Sequence, residues 1–193
     1  MKSFLSIPEN EVFTSEIVIN KSRFLGFAKH IKTTEQAEEF LSFLREKYND
    51  ARHICFAYQL ENTAKLSDDG EPSGTAGKPI FSLLEKKKLS NVIVAVVRYF
   101  GGVKLGAGGL LRAYTNTASE VLDKAGVVEW SSAKIYQITM DYKDYQPFLN
   151  KIKNRNIAII DTNFDNGAVV KIVARDDEII ENALFLGETT KAF

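Results

Sequence analysis

One cysteine and two histidines among 193 residues leave this chain little means of soft-metal or disulfide chemistry. Cys55 alone cannot form an intramolecular disulfide, so a reducing compartment is its natural setting. Cys55, His30 and His53 fall short of a zinc set in both number and spacing. No apolar run approaches the ~20 residues that a membrane span requires. The N-terminal stretch Met1–Asn10 lacks the apolar core and small-residue cleavage site of a secretory leader. A cytoplasmic location is therefore expected. Net charge is missing as well. The 25 basic residues balance 25 acidic ones, which argues against a generic nucleic-acid coat protein. Neither an internal repeat nor a low-complexity linker is visible.

What is present centres on residues 91–122. An unbroken apolar run from Val92 to Val97 reads as a buried strand. Five glycines follow in a loop (Gly101, Gly102, Gly106, Gly108, Gly109), and an apolar-periodic helix starts near Leu110 and ends near Gly126. Strand, glycine loop and helix together aim free backbone N–H groups at whatever lies before the helix. Glycine permits φ > 0 and close approach, and a helix start carries about half a positive charge. Arg98, Lys104 and Arg112 bracket the loop with the same sign. The named phosphate motifs are not satisfied, because Gly106 is followed by Ala107 and the third glycine of Gly-x-Gly-x-x-Gly is absent. A close-packed turn is the plain alternative to an anion site. Arginines able to fork onto phosphate or carboxylate tilt the reading toward the anion.

Charge is also unevenly placed. Between Lys78 and Arg112 stand seven basic residues (Lys78, Lys86, Lys87, Lys88, Arg98, Lys104, Arg112) and one acid, Glu85, so the segment carries +6 and the remainder −6. A basic face for phosphate contact is one explanation. A lysine triplet at a helix C-terminus, where cations are favoured, is the other.

Along the chain, Glu11–Asn20 and Ser22–Ile31 read as strands. Thr33 and Gln36 offer a capping box for a helix whose stripe is Ala37, Phe40, Leu41, Leu44 and Tyr48. Arg52–Leu60 reads as a strand, Asn62–Gly77 as a polar loop and Ile80–Leu89 as a short helix. The pattern restarts after Gly126, placing a boundary near Glu129–Ala133, between a domain over 1–128 and a smaller one over 133–193. There a strand around Ile135–Met140, a helix over Tyr142–Lys153 and strands over Asn156–Thr162 and Ala168–Ala174 are expected, the last two joined by Asn166-Gly167. Asp176 is expected to cap a helix through about Leu186, leaving only Thr189–Phe193 for a final strand, so this ferredoxin-like half reads as truncated.

Ser67–Pro79 is the second unusual segment, with Asp68, Asp69 and Glu71 set among glycines and prolines. Those carboxylates suit a hard cation such as Mg²⁺. They equally suit turns, and no calcium-loop spacing is present. His53 and Cys55, at i and i+2 of a strand, share a face. A thiolate–imidazolium pair lacks a third orienting group here, and a lone buried cysteine behaves as a small hydrophobe. His53 is read as either structural or binding.

Three blocks in order resemble the YigZ/IMPACT family: Ala51–Tyr58 with Arg52-His53; Asp68–Pro72 followed by Gly74–Gly77; and Arg98–Leu110 followed by Arg112-Ala113-Tyr114. The resemblance spans about Glu16–Leu122, and the tail resembles the small ferredoxin-like domain that bacterial members append, itself similar to a domain of elongation factor G. It implies an α+β fold, with an N-terminal β-α-β domain of the ribosomal-protein and small-molecule-kinase type. It also implies a role near translation, since the eukaryotic relative restrains a translation-factor kinase by binding that kinase's ribosome-associated activator. Bacteria lack that pathway, so its partner does not transfer, and no catalytic residue does either.

The leading expectation is a translation-associated binding protein that contacts RNA, the ribosome or a translation-related protein. Its groove would be built from His53, Asp69, Glu71, Arg98, Gly101, Gly102, Lys104, Gly106, Gly108, Gly109 and Arg112. Asp69 and Glu71 are expected at its rim, with no metal, cofactor or catalytic residue assigned. The alternative is an enzyme on a phosphate-bearing metabolite, with a metal held by Asp68, Asp69 and Glu71. A purely architectural glycine loop in an interaction module is the third reading.

Overall fold

The computed structural model describes residues 3–9 and 11–193; Met1, Lys2 and Asn10, part of the stretch read for a leader, lie outside the described residues. The chain divides into two compact units, one over Leu5–Val128 and one over Glu129–Phe193 with the residues up to Phe4. The architecture is α+β, with two five-stranded sheets and, among the described residues, four α-helices.

The first strand, β1 (Ser3–Ser6), belongs to the sheet of the second unit. The first unit is built on β2 (Phe13–Ile19), β3 (Ser22–His30), β4 (His53–Gln59), β5 (Ala64–Ser67) and β6 (Val92–Tyr99), in the order β2-β3-β6-β4-β5 with every pairing antiparallel. Helices α1 (Thr34–Lys47), α2 (Gly77–Lys86) and α3 (Gly106–Ala125) cover it. Strand β6 lies at the centre, and its unbroken apolar run follows from burial on both faces. Val92, Val94 and Val96 pack with Ile80 and Leu84 of α2 and with Ala113, Tyr114 and Ala118 of α3. Ile93, Ala95 and Val97 pack with Ala37, Phe40, Leu41 and Leu44 of α1.

Local signals account for the edges of these elements. The Thr33 hydroxyl caps α1 by accepting from Gln36 N at 3.3 Å, as its spacing implies. Residues 62–77 are not loop throughout, because Ala64–Ser67 pairs with Phe56–Gln59 as β5. That strand forms the sheet's outer edge with Ala64, Lys65 and Leu66 exposed, so its sequence shows no apolar face. Helix α3 begins at Gly106, four residues ahead of its first buried apolar side chain, Leu110.

The second unit carries β7 (Val128–Met140), α4 (Tyr142–Ile152), β8 (Ile157–Asn163), β9 (Ala168–Arg175) and β10 (Leu184–Ala192). Strand β7 pairs with both β9 and β10, and β8 pairs with β9, which gives the ferredoxin-like order β10-β7-β9-β8. The helix expected over Asp176–Leu186 does not form. Arg175 forks onto Asp177 at 2.7 Å instead, and the Glu178 carboxylate accepts from Arg155 Nε at 2.8 Å and Asn156 N at 2.9 Å. Asn182, at φ 55°, breaks any remaining helical turn. Residues assigned to that helix supply the start of β10, so the last strand is nine residues long rather than the five left for it.

Candidate functional site

The acidic loop turns inward. Asp68 Oδ1 accepts from Ala76 N and Gly77 N, each at 2.9 Å, and Oδ2 accepts from Gly74 N at 2.8 Å. The carboxylate thus meets the N-terminus of α2, whose own N-cap residue, Ala76, has no side chain to offer. Burial pulls the Asp68 carboxyl upward, and hydrogen bonds from Gly74, Gly77 and Ala76 outweigh it, so the group titrates below its ordinary 3.8. Asp69 Oδ2 accepts from Ile54 N at 2.7 Å, joining the loop to β4.

Glu71 is buried rather than at a rim, which corrects the sequence expectation. Its Oε1 accepts from Arg98 Nη1 at 2.5 Å and from the Tyr114 hydroxyl at 2.8 Å, linking the loop, β6 and α3 in one network. Arg98 is 6% exposed and lies against the rings of Phe24 and Phe100, 5.4 Å and 5.7 Å from their centroids. Cys55 is fully buried, donates its S–H to Asp68 O at 3.0 Å, and has its thiol pushed up to about 12 by that burial. At neutral pH it is a thiol and no nucleophile. Burial, with Cys55 and Glu71 beside it, likewise raises Tyr114 far above its ordinary value.

Each carboxylate of Asp68, Asp69 and Glu71 already accepts from the protein, and among the described residues no cluster of three or more His, Cys, Asp or Glu is arranged to hold a metal ion.

His53 lies beside this loop. Its Nδ1 is 2.7 Å from the Asp69 carbonyl oxygen. A carbonyl only accepts, so Nδ1 carries the proton and Nε2 is left as the ring's other hydrogen-bonding atom. Opposite stands the start of α3, whose N-cap, Leu105, makes no side-chain cap bond and whose first turn holds no acid. Gly106, at φ 70°, lets the chain turn into the helix, and nothing lies within 4 Å of where its Cβ would be.

Between them lies a cavity of about 420 Å³, walled by Arg52, His53, Gly70, Glu71, Pro72, Arg98, Phe100, Lys104, Leu105, Gly106, Ala107 and Leu110. Of the residues singled out in the sequence, His53, Glu71, Arg98, Lys104 and Gly106 meet here. Gly101 instead sits against the β2–β3 turn: a Cβ there would stand 2.0 Å from the Lys21 carbonyl carbon, and its N–H donates to Ser22 Oγ at 3.1 Å. Gly102, Gly108 and Gly109 lie near the cavity in sequence but outside its wall, as do Asp69 and the exposed Arg112. The Lys86–Lys88 triplet ends α2, where Lys87 pairs with Asp123 at 2.8 Å. Sequence reasoning about the site passed over Arg52, Phe100 and Tyr114. Each adjoins a residue it did select, or lies on the helix stripe that begins at Leu110.

Fold and pocket together define a two-unit α+β protein whose larger unit presents a glycine-loop helix start to a basic cavity. The Impact N-terminal domain matches residues 20–122, and the chain belongs to the IMPACT family. It is 44% identical to the IMPACT family member YvyE of Bacillus subtilis over 142 residues, 72% of this chain and 64% of that protein. It is 36% identical to YigZ of Escherichia coli over 147 residues, 74% of this chain and 71% of that one. The chain thus spans less than two thirds of YvyE. Among solved structures, a crystal structure of a hypothetical protein shares 28% identity at a TM-score of 0.65, covering 90% of this chain and 86% of its own. The two-domain translational regulator Yih1 shares 30% identity over 62% of this chain and 48% of its own, at a TM-score of 0.42. Among the described residues no helix is long and apolar enough to cross a membrane.

Proposed function

We propose that this chain is a cytoplasmic, translation-associated regulatory protein, and that its larger unit docks an anionic group of RNA, the ribosome or a translation-related protein in the cavity before α3. Membership of the family, together with 30% identity to the two-domain translational regulator Yih1, supports the translational setting. The observation that carries the chemistry is the open start of α3. A 20-residue helix begins there with neither a side-chain cap nor an acid in its first turn, beside Lys104 and in the wall of a cavity that also holds Arg52 and Arg98. Backbone N–H groups left without a partner and a helix start of positive sign attract an external anion.

The test is equilibrium binding of the full chain to purified ribosomes across a salt series, with Lys104→Ala and Arg112→Ala as variants and thermal melting as a folding control. Lys104→Ala is expected to weaken binding more than Arg112→Ala, because Lys104 lines the cavity and Arg112 does not. A partner of single-stranded RNA gives a log–log salt slope of about −0.7 for each phosphate neutralised, so roughly −2 for the cations at hand. A flat dependence points to a protein partner. Unchanged affinity in Lys104→Ala overturns the docking site.

A further inference from the structure

The cavity before α3 is small and one-sided in charge. At about 420 Å³ it has the size of a metabolite or single-nucleotide site rather than a track for a duplex. Within it Arg98 is balanced by Glu71, which leaves Arg52, Lys104 and the half charge of the helix start, roughly +2.5 in all. A phosphate monoester carries about −1.5 to −2 at neutral pH, a close match. Arg98 forms part of the cavity wall; its side chain is 7% exposed, and its Nε–H, itself closed off from solvent, finds no acceptor among the described residues.

The cavity wall also carries apolar side chains, Pro72, Phe100, Leu105 and Leu110. Phe100 is 45% exposed and stands in the cavity wall, where its ring can serve as a platform for a flat ring. His53, with Nδ1 committed to the Asp69 carbonyl, has Nε2 left to meet a polar group of the ligand. A triphosphate arrives with Mg²⁺, which draws further ligands from protein carboxylates. The neighbouring Asp68, Asp69 and Glu71 are all engaged by N–H or O–H donors of the protein. The charge and the engaged carboxylates both favour a monophosphate.

We propose that this cavity binds a nucleoside 5′-monophosphate group, with the phosphate on Lys104 and the first N–H groups of α3 and the base against Phe100. Resting on the docking reading above, the proposal names the chemical class that the site takes. A free nucleotide and the 5′-phosphorylated end of an RNA strand share this chemistry.

Calorimetry on the full chain at low salt distinguishes them, using the four ribonucleoside 5′-monophosphates, adenosine, inorganic phosphate, and a short RNA with either a 5′-phosphate or a 5′-hydroxyl. At least one monophosphate is expected to bind one-to-one, and adenosine at least about tenfold more weakly, the scale of one charge-assisted hydrogen bond. Lys104→Ala is expected to weaken that monophosphate about tenfold and Phe100→Ala about five- to tenfold, with melting temperatures retained. Strand ends are the source if the 5′-phosphorylated RNA binds at least about tenfold tighter than the mononucleotide, and free nucleotides are the source otherwise. The proposal is overturned if neither a monophosphate nor the 5′-phosphorylated RNA binds more tightly than about 1 mM. It is equally overturned if adenosine binds as well as the monophosphates and the 5′-hydroxyl RNA as well as the phosphorylated one. Ribosome binding that is lost in Lys104→Ala without any nucleotide binding keeps the docking reading and removes this one. Nucleotide binding with ribosome affinity untouched by Lys104→Ala does the reverse.

Discussion

The two loops of the larger unit that look alike in sequence do opposite things. Residues 67–77 and 100–109 are both rich in glycine, and both lead into a helix. The first supplies its own anion: Asp68 meets the backbone N–H groups of Gly74, Ala76 and Gly77, and the start of α2 is closed. The second supplies none, and its flanking charge is Lys104. Helix starts are electrically alike. What separates these two is whether the chain brings a carboxylate to them. On the reading proposed above, the acidic loop closes its own helix start and walls part of the cavity, and the glycine loop leaves its helix start to an external anion.

Breaking the closed side has the largest expected effect. Glu71→Ala strands the buried Arg98 guanidinium and the Tyr114 hydroxyl, and removing one partner of such a buried pair costs about 3 to 5 kcal/mol. Urea unfolding measures it, and a loss below about 1 kcal/mol, the range of a solvated surface pair, denies the network its structural role.

Asp68→Asn comes next, with an expected loss of about 2 kcal/mol from the weakened cap. Acid separates this group from the rest of the unit. Asp68 titrates in the folded protein below its ordinary 3.8, so its contribution is complete above 3.8 and disappears as pH falls through the lower folded value. His30, 4% exposed, is pushed by burial down to about 4 from 6.5. The unfolded chain takes up that proton first, so stability declines as pH falls from 6.5 toward 4 and is complete above that window. Stability curves against pH should thus show a His30 phase that Asp68→Asn retains and an Asp68 phase below it that the variant lacks. An unaltered lower phase in Asp68→Asn removes the cap from the explanation.

The smallest effect belongs to the open side, and it has two signs. Ala107→Glu places a carboxylate in the first turn of α3, as Asp68 already does for α2. Stability is expected to rise by about 0.3 to 1 kcal/mol while phosphate affinity falls, because the new charge competes for the same helix start. A variant that gains stability and keeps its anion affinity separates the pocket from the helix end.

What could be read in the sequence was what short patterns determine. The Thr33 cap, the α1 stripe and the β6 run each depend on residues within a few positions, and each is present. The helix expected from an Asp176 cap through about Leu186 does not form, because the deciding bonds reach back from Glu178 to Arg155 and Asn156, more than twenty residues away. The pocket divides in the same way. Lys104 and Gly106 were visible beside the loop they serve. The pairing of Arg98 with Glu71 spans 27 residues and has no local signature. Asp68 reads as a turn residue or metal ligand until the fold brings N–H groups from six to nine residues later onto it. Phe100 is distinguished from the other exposed phenylalanines only by its place in the cavity wall, which the fold decides.

The contrast between the loops can be tested in one experiment, an NMR titration of backbone amides in the ¹⁵N-labelled chain with inorganic phosphate or a nucleoside 5′-monophosphate. The amides of Gly106, Ala107 and Gly108 at the open start of α3 are expected to shift and saturate together, while those of Gly74, Ala76 and Gly77, already held by Asp68, stay in place. Equal shifts at both helix starts, or none at α3, would contradict it.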